Sequence, residues 1–118
     1  MSDTTYLSWP FFDASHRALA ERLGREATRE SATWPHPGAD AVDAACIALV
    51  RQFGALGWLQ LTVPAAAGGA HEALDVRSLC LARETLAYHH GLDDFAFAMQ
   101  GLGSGPISLY GSAEQQQR

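Results

Sequence analysis

Apolar residues recur every three or four positions along three stretches of the chain, which is the spacing of one face of an α-helix. The pattern predicts helices over about 13–30 and 41–55, and a third that begins after Asp75. The side chains that we assign to the buried faces of these helices are Phe12, His16, Leu19, Leu23 and Ala27; Val42, Ala45, Cys46, Leu49, Val50 and Phe53; and Val76, Leu79, Cys80, Leu86 and Ala87.

Polar residues stand where each of these helices is predicted to begin. Asp13, Asp40 and Asp75 precede the three apolar patterns, and aspartate is a preferred N-cap because its carboxylate accepts the free backbone N–H groups. His89-His90-Gly91 is expected to end the third helix. Two prolines and a glycine within residues 31–39 predict a loop between the first two helices.

Residues 58–63 alternate in a way that could indicate a strand. A lone strand would have no partner in this chain, so we interpret these residues as an extended crossing segment. Pro64 should end the segment, and Gly68-Gly69 predicts a tight turn because glycine adopts left-handed backbone angles without strain.

A fourth helix is predicted from Asp93-Asp94 to about Gly101, and it is apolar on nearly every face. Such a helix is either buried all round or borders a cavity. Pro106 predicts the start of a short fifth helix over residues 106–110. Ser112 with Gln115 then forms a capping-box pattern for another helix, and only six residues follow Ser112. We therefore expect an all-α, five-helix bundle whose last helix is truncated, and a chain that is part of a longer protein or a remnant of one.

The composition of the chain argues against several classes of function. The chain has 118 residues, a net charge of −5, no lysine and only scattered arginines, so nucleic acid and an anionic membrane surface are poor partners. No apolar run approaches the ~20 residues of a membrane span, and the N-terminus lacks the features of a signal peptide, so we expect a cytoplasmic protein. Cys46 and Cys80 fit no metal spacing, and we expect a reduced, buried pair.

The residues that could carry chemistry form no evident catalytic group. Gly101, Gly103 and Gly105 have the wrong spacing for a dinucleotide-binding loop, and we expect them to permit close packing. The five histidines show no metal-ligand spacing, and Ser104 and Ser108 lack an evident base. The residues alone therefore predict a helical domain without a metal site and without catalytic residues.

Two stretches follow one another in an ordered series: Leu56-Gly57, Val63-Pro64 and Gly68-Gly69, and then Leu102-Gly103-Ser104-Gly105-Pro106-Ile107, Tyr110-Gly111-Ser112 and Glu114-Gln115. Their order and spacing resemble the acyl-CoA dehydrogenase family, and Glu84 falls where that family often has a glutamate in its third helix. The resemblance extends over about residues 13–118. The chain departs from the family pattern at Ala65-Ala66-Ala67, where an acidic residue and an aromatic residue are usual.

The resemblance implies a flavoenzyme of three parts, of which residues 1–118 match only the N-terminal helical domain, the middle β domain and the C-terminal helical bundle being absent. In the family, FAD lies between those other two parts, a glutamate in the C-terminal bundle removes the α-proton of an acyl-CoA, and electrons pass to an electron-transferring flavoprotein. A homo-oligomer is the expected assembly of the complete enzyme. We expect no FAD and no catalytic residue in this chain alone.

The resemblance also implies that the fourth helix forms a wall of the acyl-chain pocket. The candidate lining residues are Asp94, Ala98 and Leu102 on one face and Phe95 and Met99 on the adjacent face. The alternative is that all five are core residues. Two other functions stay open: a stand-alone helical interaction module, and a fragment of a related flavin oxidase or flavin monooxygenase.

Overall fold

A computed structural model describes residues 3–118 and contains five α-helices. They are α1 (Ala14–Glu30), α2 (Val42–Ala55), α3 (Val76–His89), α4 (Gly91–Tyr110) and α5 (Ala113–Gln117). The all-α fold class is confirmed, and no strand occurs within residues 3–118. The expectation about a signal peptide rests partly on Met1 and Ser2, which lie outside the described residues. Among the described helices, none has both the length and the hydropathy that crossing a bilayer requires.

The N-termini of α1 and α3 are joined through the buried His16. Asp13 caps α1 by accepting the backbone N–H groups of Ser15 and His16, and the Nδ1 of His16 accepts the N–H of Asp13 in return at 3.2 Å. The other ring nitrogen, Nε2, lies 2.7 Å from the carboxylate of Asp75, which caps α3 through Ser78. The predicted caps Asp13 and Asp75 are therefore confirmed, and one histidine fixes the distance between the two helices.

Four aromatic rings form the centre of the core. Phe53 of α2 stacks on Trp58 with ring centroids 5.8 Å apart, and Trp34 and Phe97 each meet Phe53 edge-on. Offset stacks and edge-to-face contacts are the favourable arrangements of aromatic rings. The indole N–H of Trp58 donates to Glu26 of α1 at 2.6 Å, so this fully buried ring leaves no polar atom unpaired.

The segment after α2 is a 3₁₀ helix, Trp58–Thr62, so the prediction of an extended segment is wrong. Gly57 takes a left-handed conformation at φ 75° and turns the chain out of α2. The 3₁₀ turn then buries Trp58 and Leu61, three positions apart, on one side, which the alternating pattern did not indicate. The predicted tight turn is confirmed at Gly68, which has φ 87°.

Helix α4 runs without interruption to Tyr110, so the predicted end at Gly101 and the separate helix over 106–110 are wrong. Pro106 lies inside α4 although it lacks an N–H and its ring crowds the preceding turn. Gly105 has no Cβ, which relieves part of the crowding that proline imposes on the residue before it. The hydroxyl of Ser104 lies 2.9 Å from the Gln100 carbonyl and 3.0 Å from the Thr62 carbonyl, which attaches this turn to the 3₁₀ helix.

Two further details of the sequence prediction are wrong. Asp40 lies in a 3₁₀ turn and does not cap α2, whose N-cap, Ala41, makes no side-chain hydrogen bond. Both cysteines are free thiols, but Cys80 is exposed and Cys46 is half-buried, so they are not a buried pair. The capping box of α5 is confirmed, with Gln115 and Ser112 bonded reciprocally.

Gly69 should not tolerate a side chain. A Cβ at this position would lie 1.7 Å from the carbonyl oxygen of Val63. We expect Gly69→Ala to lower the free energy of unfolding by about 2–3 kcal/mol or more, because the backbone must move. The matched control is Gly24→Ala within α1, where a Cβ meets open space. This substitution should raise the free energy of unfolding by about 0.5–1 kcal/mol. Urea denaturation of both variants measures this, and equal stabilities would contradict the crowding at Gly69.

The two capping aspartates should make the fold sensitive to acid. Hydrogen bonds from Ser15 and His16 hold the pKa of Asp13 at about 2. Burial raises the pKa of Asp75, but hydrogen bonds from Ser78, His16 and Arg77 outweigh this effect and leave the pKa well below its usual range. Both pKa values are therefore lower in the folded than in the unfolded chain, so the unfolded chain binds more protons in acid. The two aspartates stabilise the fold fully above about pH 3.9, which is the pKa of an aspartate in the unfolded chain. This stabilisation is lost as the pH falls through their lower pKa values in the folded chain.

We expect the free energy of unfolding to fall between about pH 4 and pH 2. Asp75→Asn should make this fall less steep, since the asparagine does not titrate. Asp40→Asn is the control, because the carboxylate of Asp40 does not cap α2. Denaturant unfolding at a series of pH values gives the slopes, and an unchanged slope in Asp75→Asn would refute this account.

Candidate functional site

An apolar groove with a volume of about 660 Å³ lies between α3 and α4. Its position follows from the packing of α4, which turns Ala96 and Phe97 into the core and leaves its other faces outside. The 3₁₀ helix reaches the groove through Thr62. The lining side chains are mostly apolar, and a volume of this size is within the usual range of roughly 300–1,000 Å³ for small-molecule sites.

All five candidate residues on α4 line this one groove: Asp94, Phe95, Ala98, Met99 and Leu102. Phe95, Met99 and Leu102 are exposed, with 55%, 44% and 67% of their surface accessible, so the alternative that all five are core residues is wrong for these three. Phe95 and Met99 also border a shallower hollow against α2. The expectation that α4 is apolar because it borders a cavity agrees with this placement, and the acyl-pocket role itself stays a prediction.

The opposite wall of the groove comes from α3, and the sequence interpretation missed it. Val76, Leu79, Cys80 and Ala87 were assigned to the buried face of α3. Val76 and Cys80 are exposed and line the groove, and Ala87 is exposed outside it, so these three assignments are wrong. Leu79 is half-buried, packs against the core as predicted and also lines the groove. The core face of α3 is formed instead by Ser78, Leu81, Ala82 and Leu86. Helix α3 thus carries two apolar stripes, and periodicity alone does not say which of them faces the core.

One ion pair crosses the groove wall. The guanidinium of Arg83 on α3 donates to both carboxylate oxygens of Asp94 on α4, at 2.8 and 2.9 Å. These hydrogen bonds raise the pKa of Arg83. A carboxylate held in a bidentate pair is neutralised and oriented. Asp94 is therefore suited to fix the spacing of α3 and α4 and is poorly suited to remove a proton from a substrate.

The glycines of α4 do not form a phosphate loop. Gly101, Gly103 and Gly105 all lie inside the helix, where backbone N–H groups bond to carbonyls of the preceding turn. A Cβ on Gly101 would lie 3.9 Å from Thr62, whereas Gly103 and Gly105 face open space. The expectation of close packing is therefore wrong for Gly103 and Gly105.

The remaining candidate groups have structural contacts. The carboxylate of Glu84 on α3 accepts a hydrogen bond from the hydroxyl of Tyr6. Burial is the larger cause of the raised pKa of Tyr6, and this hydrogen bond adds to it. Ser104 bonds to backbone carbonyls and has no base beside it. Within residues 3–118, one group of three side chains could hold a metal ion, namely His36, His90 and Asp93, and it lies outside the groove lining.

Comparison with known proteins agrees with the resemblance in the sequence. The family model for the acyl-CoA dehydrogenase N-terminal domain matches residues 13–118, which is nearly the whole chain. A search of curated proteins gave no match. The matched residues include all five helices and both walls of the groove. The chain therefore belongs to the acyl-CoA dehydrogenase family and carries its N-terminal domain.

Proposed function

We propose that this domain forms one wall of the acyl-chain pocket of a flavoenzyme that oxidises acyl-CoA thioesters between their α and β carbons. The observation that carries the proposal is the groove between α3 and α4, in which all five candidate residues meet. The family match supports the same assignment. The residues that we assign to acyl contact are Asp94, Phe95, Ala98, Met99 and Leu102.

The chemistry of the groove fits a saturated chain. Its walls offer Leu79 and Val76 from α3 and Phe95, Met99 and Leu102 from α4, with few polar atoms between them. An alkyl chain laid along these side chains removes apolar surface from water, which contributes about 25 cal/mol per Å². Such contacts act on the part of a substrate that does not react, so they contribute binding and orientation and no bond-making step.

We assign no chemical step to this domain. The described residues offer FAD no phosphate cradle, since the glycine run of α4 is helical, and Asp94 is held by Arg83. The residues present therefore do not fit the flavin, and we propose that other parts of the enzyme bind it and supply the base. Transfer of electrons to an electron-transferring flavoprotein belongs to the same proposal for the complete enzyme. The domain alone should be inactive.

Blocking the groove should abolish acyl binding. We expect the chain to bind a medium-length acyl-CoA weakly, with a Kd on the order of 1 mM, because only one wall is present. Ala98→Phe places a ring inside the groove and should weaken binding at least about tenfold, which is ~1.4 kcal/mol. Two-dimensional NMR of the ¹⁵N-labelled chain, titrated with acyl-CoA below its micelle concentration, measures both the affinity and the residues affected.

Two controls make this titration specific. Ala87→Phe introduces the same side chain at an exposed position of α3 outside the groove and should leave the affinity unchanged. Coenzyme A without an acyl chain should leave the α3 and α4 signals unshifted. Acyl-dependent shifts that fall elsewhere, or that persist in Ala98→Phe, would refute the proposed pocket wall.

A second candidate function is supported by the C-terminal half of α4. Ile107, Leu109 and Tyr110 are exposed, and Tyr110 has 88% of its surface accessible. Neighbouring exposed apolar side chains are typical of surfaces that contact another protein. This observation fits a stand-alone helical interaction module, and it also fits a domain that other parts of a flavoenzyme cover.

Self-association distinguishes a module that pairs with itself. Such a module should elute as a dimer in size-exclusion chromatography with light scattering, and Leu109→Glu with Tyr110→Glu should convert it to a monomer. Under the pocket-wall proposal we expect the wild-type chain to be a monomer that binds a hydrophobic dye through this half of α4. A stable dimer that the two glutamates dissociate would favour the interaction module.

A further inference from the structure

Three potential metal ligands meet where α4 begins. One nitrogen of His36, one nitrogen of His90 and one carboxylate oxygen of Asp93 all lie within 4.8 Å of one another. His36 comes from the loop between α1 and α2, and its Nε2 lies 3.2 Å from one oxygen of Asp93 and 3.3 Å from the other. His90 and Asp93 are three positions apart, at the N-cap and in the first turn of α4. The sequence interpretation missed this group because His36 is distant in the chain.

The carboxylate of Asp93 is buried where a charge is costly. Its side chain has 0% of its surface accessible, and its two carboxylate oxygens lie 3.2 and 3.3 Å from the Nε2 of His36. A buried carboxylate is retained at low cost when it is paired or coordinates a metal. His36 is itself one-third exposed, so the group is also reachable from solvent.

The two imidazoles of this group lie face to face. The rings of His36 and His90 stack with centroids 4.1 Å apart and an interplanar angle of 26°. Histidine is the commonest metal ligand, and it binds an ion through a lone pair of a ring nitrogen. The stacking therefore holds two potential ligand rings together at one position.

Both histidines are held in place before any ion binds. Pro35 and Pro37 flank His36 and restrict the backbone on either side of it. The Nδ1 of His90 accepts the N–H of Leu92, which orients that ring over the start of α4. A ligand that is already ordered loses little entropy when it binds.

We propose that His36, His90 and Asp93 form a site for a divalent transition-metal ion, with Zn²⁺ as the best match. Tetrahedral zinc at about 2.0–2.1 Å from each ligand separates the ligand atoms by roughly 3.3 Å. The Nε2 of His36 and the Oδ1 of Asp93 are 3.2 Å apart, which already matches this separation. No two of the three ligand atoms are more than 4.8 Å apart, so each remaining distance has to shorten by at most about 1.5 Å. Water takes the fourth position. As zinc takes the Nε2 lone pair of His36, the ring proton moves to Nδ1. The Nδ1 of His90 accepts the N–H of Leu92 in the ion-free chain, so ligation by that ring costs this hydrogen bond: either the ion replaces the N–H at Nδ1, or the proton of Nε2 moves to Nδ1 and the ion binds Nε2.

The charges permit a cation at this helix end. The partial positive charge at the N-terminus of α4 opposes a cation, whereas the ionised Asp93 attracts it. On the neighbouring helix α3, the guanidinium of Arg83 is paired with Asp94, which neutralises its charge. The ion would tie the loop that carries Trp34 and His36 to α4, and so secure one edge of the aromatic core.

Metal titration of the tag-free, chelator-treated chain near neutral pH tests the site. We expect one Zn²⁺ per chain by calorimetry, with a Kd on the order of 1 μM, and a visible Co²⁺ spectrum of tetrahedral type. Saturating Zn²⁺ should raise the Tm by at least about 4 °C, since it binds only the folded chain. Absence of stoichiometric binding would overturn the proposal.

Ligand variants with a matched control locate the ion. His36→Asn, Asp93→Asn and His90→Asn should each weaken binding more than about 100-fold, beyond the 10–100-fold typical of residues that only support a ligand. Asparagine at position 90 keeps an N-cap acceptor for α4, so the helix start is preserved. His89→Gln, next to the site, should bind Zn²⁺ like the wild-type chain. Equal affinity in all variants, or an equal loss in His89→Gln, would refute the assignment.

A measurement on the wild-type chain covers the case in which a variant fails to fold. Long-range ¹H–¹⁵N NMR reports the ring nitrogens of each histidine. Zn²⁺ should shift the ring signals of His36 and His90 and leave those of His16, His71 and His89 unchanged. Shifts confined to the other three histidines would place the ion elsewhere.

Discussion

Burial of Trp58 is the constraint on which the rest of the fold depends. Its ring stacks on Phe53 of α2 and meets Trp34 of the preceding loop edge-on, and its N–H needs the carboxylate of Glu26 on α1. A buried indole without such an acceptor would cost the desolvation of its N–H, about 1–3 kcal/mol. The 3₁₀ turn that carries Trp58 therefore has to lie against both α1 and α2. Helix α4 must then cross the same turn through Thr62 and Ser104, which sets the position of the groove.

Sequence periodicity predicted α1, α2 and α3 because each has a buried face with a three-to-four-residue repeat. It failed where local signals were overruled by contacts distant in the chain. Pro106 is a strong local signal for a helix end, yet α4 continues, with Gly105 before the proline and Ser104 bonded to Thr62. The alternation over residues 58–63 indicated extended chain, but the demand to bury Trp58 and Leu61 together favours a 3₁₀ turn.

Only one of the two walls of the candidate groove could be predicted from the sequence. The wall on α4 followed from the family resemblance, whereas the wall on α3 did not, because Val76, Leu79 and Cys80 have the same spacing as a core face. The ligand group at the start of α4 had one local signal, His90 and Asp93 three positions apart on a helix. Its third member, His36, lies 57 positions from Asp93, and only the folding of the first loop onto α4 brings them together.

Along most of helix α4, the residues that pack in the core and the residues that line the groove lie on different faces. Ala96 and Phe97 supply its core face, and none of Phe95, Met99 and Leu102 belongs to the buried cluster. Substitutions in the groove should therefore cost little of the packing that holds the domain together, so their effect on the proposed acyl binding can be measured separately from stability. The first turn differs, because Asp93 is buried and at the same time faces His36. If Asp93 binds an ion as proposed, changes there should act on stability and on ion binding together, so a variant of Asp93 is interpretable only when both quantities are measured.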